Sequence, residues 1–524
     1  MTPLAVPIAA KNLDQAEDQA KKAIDAGAEM LELRTDYLEV LSTDLVKSLI
    51  AAVKTKRASQ IPIIVTCRDK LQGGAIAYSD TLRVDVLTNA VGAGAEFVDF
   101  EYEKFLFVDN QERIKLALSQ SPKSRLILSA HNFESKFDNI EELYRHILTV
   151  YPPAIPKLVY TANHINDCFE AFDLLHKTNC ERIVWSMGTP GLISRIIAKK
   201  LGSFLTYASI DDKNATAPGQ LTIGQLKNLY RWNDIDCDTE LYGIIGSPVA
   251  HSQSPAVHNT CFSDSRMNKL YLPLLVEGGK ENLDRFLNNI LARSWLGFRG
   301  FSVTIPHKQN ALDYVKAKQG FVEPLAEKIG AVNTLVINEP RATSHEPRIS
   351  AYNTDYTGAM DAITSAMDIT RAGFKDITIA VIGAGGVARA VVAALTNADA
   401  KIKIYNRTLK KAEKLAQEFN CDFAPLDNLP GIDAKLLINC TSIGMHPNVD
   451  ETPLPKKCLR EDMAIFDTVY NPAETLLLRQ AKQAGAKTIT GLSMFINQAA
   501  AQFKLFTGQD TNFELMQKIV EDIR

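Results

Sequence analysis

The sequence predicts an α/β protein: an N-terminal (β/α)8 barrel, then a two-domain second half that includes a Rossmann nucleotide-binding domain. Three observations predict it. Short apolar runs alternate eight times with helix-period segments between residue 3 and about 232. The stretch ITIAVIGAGGVARAVVAA, Ile377 to Ala394, passes from a buried strand through glycines into a helix. Between them, Arg231 to Thr239 is short, polar and without Gly/Pro-rich spacing, so the halves are close neighbours rather than beads on a tether. A chain of 524 residues is also too long for one core.

Composition narrows the class. Hydrophobic content of 46% and charged content of 23% belong to an ordinary soluble enzyme. A net charge of −3 gives no support to nucleic-acid or acidic-membrane binding. Eight cysteines without a C-x-x-C point to a reducing compartment and to neither a zinc ribbon nor a disulfide framework. MTPLAVPIAAK has no basic or long apolar leader, and no apolar run reaches membrane-spanning length. The expectation is a cytoplasmic enzyme, or a plastid one if the chain is a trimmed plant protein.

In the first half the expected strands are Leu4–Ala10, Met30–Asp36, Ile61–Arg68, Phe97–Tyr102, Arg125–His131, Ile155–Ala162, Arg182–Gly188 and Phe204–Ile210. Helical segments such as Asn12–Ala26, Thr81–Ala93 and Ile140–Val150 follow them. A doubly wound open sheet is the alternative. A barrel places its active site at the C-terminal strand ends, and polar residues gather there: Glu32, Arg34, Asp36, Arg68, Asp99, Glu101 and His131. Lys157 lies inside the sixth strand, where an inward lysine would sit on the barrel axis. Desolvation and nearby Arg34 and Arg68 would lower its pKa and give a free amine suited to imine formation. His131, on the adjacent strand, could move protons at the carbon beside that imine. Each residue alone has a bland reading, an edge lysine or a hydrogen-bonded histidine; their joint placement favours chemistry.

These residues resemble the type I 3-dehydroquinate dehydratases from residue 3 to about 232. The matching blocks are Glu32-Leu-Arg34-Thr-Asp36, Ser129-Ala-His131-Asn-Phe133, Lys157, Ser186-Met187-Gly188, Ser194-Arg195 and Ala217-Pro218-Gly219-Gln220. The resemblance implies that Lys157 forms a Schiff base with the substrate's C3 ketone. His131 would remove a C2 proton and return it to the departing C1 hydroxyl. Glu32, Arg34, Arg68, Arg195, Thr216 and Gln220 would contact substrate, Arg195 gripping its carboxylate. Thr216 stands where the family usually has serine. Gln72-Gly73-Gly74 replaces the usual Glu-Gly-Gly, whose glutamate partners the catalytic histidine. A glutamine can orient the ring but cannot stabilise imidazolium by charge, so a lower His131 pKa and a slower dehydratase are expected.

The second half opens with an expected strand, Glu240–Ile245, and the segment Gly246-Ser-Pro-Val-Ala-His251-Ser252-Gln-Ser254-Pro. Its two serines put hydroxyls before a helix beginning at Pro255, where a carboxylate would bind; simple N-capping is the alternative. His251 and His258 lack a third ligand nearby, so no metal is expected. Gly300-Phe-Ser302-Val-Thr304-Ile-Pro306-His307-Lys308 is a strand that ends in a lysine before a helix. Asn333 and Asp355 supply an amide and a carboxylate at the ends of two more strands. An ammonium–carboxylate pair around a hydroxyl is what ketone reduction needs. In the glycine turn, Gly383 permits the bend, Gly385 lets backbone approach a diphosphate, and Ala388 stays small for helix–strand packing. An NAD site would carry an acidic residue ~20 residues further on. Asn406-Arg407-Thr408, with Lys410 and Lys411 behind, stands after the next strand, Lys401–Tyr405, and a guanidinium there suits the 2′-phosphate of NADP(H).

These blocks resemble the shikimate dehydrogenases over residues 240 to 524, as do Asn439-Cys-Thr441-Ser442-Ile-Gly444-Met445, Asp467-Thr-Val-Tyr470-Asn-Pro472, Gly491-Leu-Ser-Met494 and Gln498-Ala-Ala. By that resemblance Lys308 and Asp355 are the catalytic pair, and Ser252, Ser254, Thr304, Asn333, Tyr470 and Gln498 contact substrate. Gly383, Ala384, Gly385, Gly386, Val387 and Ala388, then Asn406, Arg407, Thr408 and Lys411, with Thr441 and Gly491, hold NADP(H). The implied domains are a barrel over 1–235, a substrate domain over 240–360, a Rossmann domain over 372–487 and terminal helices over 488–524 that pack back on the substrate domain. The two activities are consecutive steps, lyase then oxidoreductase, and the whole chain resembles the bifunctional dehydratase–dehydrogenases of aromatic amino-acid biosynthesis. A catabolic NAD-linked quinate or shikimate dehydrogenase is opposed by Arg407. A catalytically dead metabolite sensor has only Gln72 in its favour.

Overall fold

The computed structural model describes residues 2–54, 61–177, 180–211, 219–338, 348–429 and 432–522, and of Arg348 and Asp376 the backbone alone. It forms two compact units: residues 1–240 with 268–277 and 285–293, and residues 241–267 with 278–284 and 294–524.

In the first unit β1 (Leu4–Ile8), β2 (Met30–Arg34), β3 (Ile63–Thr66), β4 (Phe97–Glu101), β5 (Arg125–Asn132), β6 (Ile155–Thr161), β7 (Ile183–Met187) and β8 (Thr206–Tyr207) pair in parallel, in the order β7-β6-β5-β4-β3-β2-β1-β8. Their apolar residues are buried on both faces, which is why the strands read as near-continuous hydrophobic runs. Inside, Ala5, Ile64, Ile127, Ile155, Trp185 and Tyr207 belong to one cluster. Polar caps start the outer helices: Asn12 accepts from Gln15 N (3.0 Å) at Leu13–Asp25, and Ser79 from Leu82 N (3.3 Å) at Asp80–Gly92.

Two expectations need correction. Phe204–Ile210 shrinks to the two residues of β8, because Ser209 leaves the barrel to pair with Leu221–Ile223, its N–H donating to Leu221 O at 2.9 Å. Beside β8 a bond from Phe204 N to Arg182 O (2.7 Å) links the last strands. Asp36 and Arg68 lie just beyond β2 and β3 rather than on them, Asp36 in a single 3-10 turn, Thr35–Tyr37.

The second half holds two six-stranded sheets. In the first, β9 (Glu240–Gly246), β10 (Lys269–Leu275), β11 (Phe298–Val303), β12 (Phe321–Val322), β13 (Thr334–Asn338) and β14 (Arg348–Tyr352) run β10-β9-β11-β13-β14-β12. The β11–β13 and β13–β14 pairs are antiparallel. The second sheet is parallel: β15 (Thr378–Ile382), β16 (Lys401–Asn406), β17 (Asp422–Pro425), β18 (Leu436–Asn439), β19 (Ala464–Asp467) and β20 (Lys487–Ile489) run β17-β16-β15-β18-β19-β20. Ile379 and Val381 of β15 enter one apolar layer and Ala380 and Ile382 the other, so helices cover both faces. The strand order reverses at β15, between β16 and β18, and such a reversal opens a ligand crevice at the strands' C-terminal ends.

The helix Gly491–Thr507 packs along Thr354–Met367 and touches β11 and β13, and Phe513–Asp522 packs against Ser254–Asp264. Gly358 makes the first crossing close: a Cβ there would sit 2.7 Å from Met494 O and 2.8 Å from Gln498 N. Gly358→Ala is expected to destabilise by about 1–3 kcal/mol, the usual cost of overpacking, read as a lower urea midpoint by circular dichroism; an unchanged midpoint would refute the close crossing.

Candidate active sites

Parallel strands aim the C-terminal residues of the barrel at one mouth, and the charged side chains there are mostly paired. Lys157 of β6 is buried, its Nζ 2.7 Å from Asp99 Oδ2 of β4, 3.2 Å from the Tyr207 hydroxyl of β8 and 3.8 Å from Glu32 Oε1 of β2. Arg68 Nη2 lies 2.9 Å from Asp99 Oδ1, and its Nη1 lies 2.9 Å from Glu101 Oε1 and 2.6 Å from Ser129 Oγ. Arg34 forms a two-bond fork with Asp36 at 2.9 and 2.8 Å. The nearest charge to the Lys157 amine is therefore a carboxylate, and both arginines expected to act on it carry acidic partners of their own. Burial raises the Asp99 carboxyl, but Arg68 and Lys157 outweigh burial and hold it below the usual carboxylate range.

His131 of β5 has its Nδ1 3.1 Å from Gln72 Oε1. With that carbonyl oxygen accepting, Nδ1 bears the proton and Nε2 the lone pair. Burial, then the Arg68 and Lys157 charges, push the imidazole well below its ordinary value, with Asp99 opposing. It is a neutral base at neutral pH. Arg195 is 3% exposed, over the Trp185 ring at 5.4 Å, and forms no ion pair among the described residues. Burial pulls its guanidinium down to about 10, an electrostatic cost that a bound carboxylate would remove. Glu32, Arg34, Arg68, Gln72, His131, Lys157, Arg195 and Gln220 line one cleft with Trp185 and Tyr207. Thr216 lies outside the described residues.

The second cleft, of about 410 Å³, is lined by Ser252, Ser254, Thr304, Lys308, Asn333, Asp355, Tyr470 and Gln498. Lys308 opens the helix Lys308–Ala317 and Asp355 the helix Thr354–Met367, which Asn353 caps by accepting from Asp355 N at 3.0 Å. Lys308 Nζ lies 2.5 Å from Asp355 Oδ2, and Asn333 Nδ2 donates to Asp355 Oδ1 at 2.9 Å. Asn333 precedes β13 rather than ending a strand, and its Oδ1 accepts from Thr354 N at 2.7 Å. Ser252 Oγ accepts from Ser254 N (3.2 Å), the first residue of the helix Ser254–Asp264, whose N-cap position is Gln253. Buried Gln502 ties the floor together, accepting from Ser302 Oγ (2.7 Å) and donating to Thr334 Oγ1 (3.1 Å).

Val387 and Gly491 line the same cleft, which brings the nucleotide crevice to the Lys308–Asp355 pair. Gly383 has φ +111°, a left-handed conformation that favours glycine. A Cβ on Gly385 or Gly386 would meet nothing within 4 Å, leaving open space before the helix Gly386–Asn397, whose first N–H groups suit a diphosphate. Ala384 follows Gly383 in this turn, and Ala388 is fully buried against β15's layer. Asn406 Nδ2 donates to Thr408 O (2.9 Å), which shapes the turn carrying exposed Arg407 and Lys411. Arg407 has no ion pair among the described residues. Thr441 Oγ1 donates to Asn439 Oδ1 (2.7 Å) and accepts from Ile443 N (3.2 Å) at the C-terminal end of β18. The residues present fit an NADP(H) diphosphate and 2′-phosphate. Among the described residues no cluster of three or more His, Cys, Asp or Glu suits a metal; His258 is buried against Phe262 and Phe506.

Comparison with known proteins agrees with this geometry. A family model for type I 3-dehydroquinase matches residues 4–236, and one for the shikimate dehydrogenase substrate binding domain matches 244–335. Models for shikimate/quinate 5-dehydrogenase and the shikimate 5′-dehydrogenase C-terminal domain match 365–468 and 491–521. The bifunctional 3-dehydroquinate dehydratase/shikimate dehydrogenase, chloroplastic, of Arabidopsis thaliana is 36% identical over 533 residues, 99% of this chain and 84% of the relative. The chain belongs to this bifunctional family. The NADP(+) shikimate dehydrogenase of Methanocaldococcus jannaschii is 42% identical over 300 residues, 55% of this chain and 98% of that protein. That of Bacillus subtilis is 36% identical over 289 residues, 54% and 96% of the two.

For a member of this family, the sequence reading left Tyr207 and Trp185 out of the first cleft, and Ser302, Phe495 and Gln502 out of the second. Gln72→Glu would place a carboxylate 3.1 Å from His131 Nδ1. It is expected to raise the His131 pKa by about 1–2 units, measured by NMR titration of the ring nitrogens; an unmoved pKa would show that burial and the cations alone set it.

Proposed function

We propose that residues 1–235 dehydrate 3-dehydroquinate to 3-dehydroshikimate and that residues 240–524 reduce this ketone to shikimate with NADPH. The observation that carries the reading is that one chain holds two lysine–aspartate pairs, Lys157–Asp99 and Lys308–Asp355, with each lysine lining a cleft. Residues 240–360 act as the substrate domain, 372–487 as the NADP(H) domain, and 488–524 close the substrate side.

In the barrel, the Lys157 amine adds to the C3 carbonyl and water leaves, giving an imine that draws electrons from C2. His131 Nε2 takes the C2 proton and returns it to the C1 hydroxyl, which departs as water. Arg195 holds the carboxylate, and Glu32, Arg34, Arg68, Thr216 and Gln220 hold the ring hydroxyls. Hydrolysis of the imine frees the product. In the second cleft, Ser252 and Ser254 receive the carboxylate, and Thr304, Asn333, Tyr470 and Gln498 the hydroxyls. Lys308 donates a hydrogen bond and then a proton to the C3 oxygen, while Asp355 orients that ammonium. Residues 383–388, Asn406, Arg407, Thr408, Lys411, Thr441 and Gly491 would hold NADP(H), which supplies the hydride when bound. All eight cysteines are free thiols, which supports a reducing compartment, the cytoplasm or a plastid. Among the described residues no helix is long and apolar enough to cross a membrane.

Borohydride added with 3-dehydroquinate is expected to leave a reduced adduct on Lys157, found by intact mass and peptide mapping and absent from Lys157→Ala. Lys308→Ala and Asp355→Asn should keep the adduct and lose NADPH-dependent reduction of 3-dehydroshikimate by about 10²–10⁴-fold. A wild-type chain without adduct that still reduces the ketone would leave the barrel without its chemistry.

Arg407→Ala is expected to raise KM for NADPH about 10- to 100-fold, the worth of a charge-assisted hydrogen bond, with NADH kinetics unchanged. An equal loss for both cofactors would move 2′-phosphate recognition elsewhere.

A further inference from the structure

An imine-forming lysine must first lose a proton, and the base nearest Lys157 is poorly placed to keep one. Asp99 already serves two cations: Oδ2 faces Lys157 at 2.7 Å, while Oδ1 faces Arg68 Nη2 at 2.9 Å and accepts from Ser129 Oγ at 2.7 Å. A proton placed on it would break that pairing. The other route out of the amine is continuous. Lys157 Nζ donates to the Tyr207 hydroxyl at 3.2 Å, and that hydroxyl donates to Glu32 Oε1 at 3.2 Å. The only other donor to Glu32 Oε1 among the described side chains is a neutral hydroxyl, Thr66 Oγ1 at 2.8 Å. Tyr207 is held for this geometry, buried on β8, edge-on to Trp185 with ring centroids 5.3 Å apart and its ring centre 4.8 Å from the lysine nitrogen. Burial keeps its phenol protonated, hence able to donate and accept at once.

The geometry points to Tyr207 as a catalytic proton relay between Lys157 and Glu32. As the imine forms, an N–H bond of the ammonium breaks toward the Tyr207 oxygen while the Tyr207 O–H proton passes to Glu32 Oε1. Ammonium plus carboxylate becomes amine plus carboxylic acid, and the phenol is regenerated with charge conserved. The amine lone pair is then free to attack the carbonyl carbon. On imine hydrolysis the proton returns by the same path. Glu32 Oε2 accepts no hydrogen bond among the described residues, so it stays available to a substrate hydroxyl. The relay rests on the Schiff-base reading of the barrel, and it adds to that reading the route of the lysine proton.

The test is Tyr207→Phe, which keeps the ring against Trp185 and removes the hydroxyl. The readout is the rate of borohydride-trapped Lys157 adduct on rapid mixing with 3-dehydroquinate, from pH 6 to about 9 in H2O and D2O. The charged groups around the amine, Glu32, Arg34, Arg68, Asp99, His131 and Arg195, are unchanged. Wild type should trap fast, with a solvent isotope effect and little pH dependence. The variant should trap about 10- to 100-fold more slowly, with a rate that climbs with pH as solvent takes the proton. Its reduction of 3-dehydroshikimate, measured on the same preparation, should match wild type and report that the chain is folded. Equal trapping rates in both proteins would overturn the relay, as would a variant whose only defect is a raised KM. No adduct in wild type would overturn the Schiff-base reading itself, a different outcome from either.

Discussion

The buried charges of the barrel depend on the carboxylate of Asp99, shared between Lys157 and Arg68. An ammonium cannot sit in an apolar barrel unpaired, since the residual penalty for burying one ion is still several kcal/mol. Asp99 meets it at 2.7 Å, and the same side chain answers Arg68 at 2.9 Å. Arg68 answers Glu101, which also binds Arg83 from the helix Asp80–Gly92. The chain of alternating charges thus runs from an outer helix to the barrel axis. It ties together β4, β6, the end of β3 and one helix, and Lys157 lies at its inner end.

The second cleft uses the same pair under different conditions. Lys308 and Asp355 are partly exposed, 29% and 16% at the side chain, and each opens a helix. Water reaches them, so the pair needs no deep counter-ion network, and a single amide from Asn333 orients the carboxylate. The contrast fits the roles proposed for the two lysines. A nucleophile has to be desolvated and fixed, whereas a proton donor to a ketone oxygen has to be re-protonated each turnover. Fusing the two in one chain raises the effective concentration of the intermediate at its next enzyme.

Much of this was legible in the sequence for identifiable reasons. Strand runs buried on both faces read as unbroken apolar stretches, so seven barrel strands were placed to within their ends. Lys157 stood out because a lysine inside such a run has to be paired or reactive. The eighth strand was overdrawn because the departure of Ser209 depends on a partner, Leu221–Ile223, that no local pattern announces. Tyr207 and Trp185 went unseen as site residues since aromatic residues on a barrel strand are read as core, which they also are. Charge in a sequence carries no pairing, so the carboxylate partners that Arg34 and Arg68 each hold could not be read from it.

Pairing also separates structural cations from those kept for ligands. Arg34, Arg68 and Arg83 all carry carboxylates of their own. Among the described residues Arg195 is buried without one, at the cost that pulls its pKa to about 10, and Arg407 stands exposed without one beside the glycine turn. A protein gains nothing in stability from a buried unpaired guanidinium. Its retention makes sense when an anion arrives with the substrate, because the ion pair then forms with a desolvation cost already met in the folded state. The exposed case differs: Arg407 costs nothing while solvated, and its proposed value is discrimination between cofactors that differ by one phosphate. On the proposed reading, Arg195 and Arg407 mark the anionic ends of two different ligands, one carboxylate in the barrel and one phosphate at the end of β16.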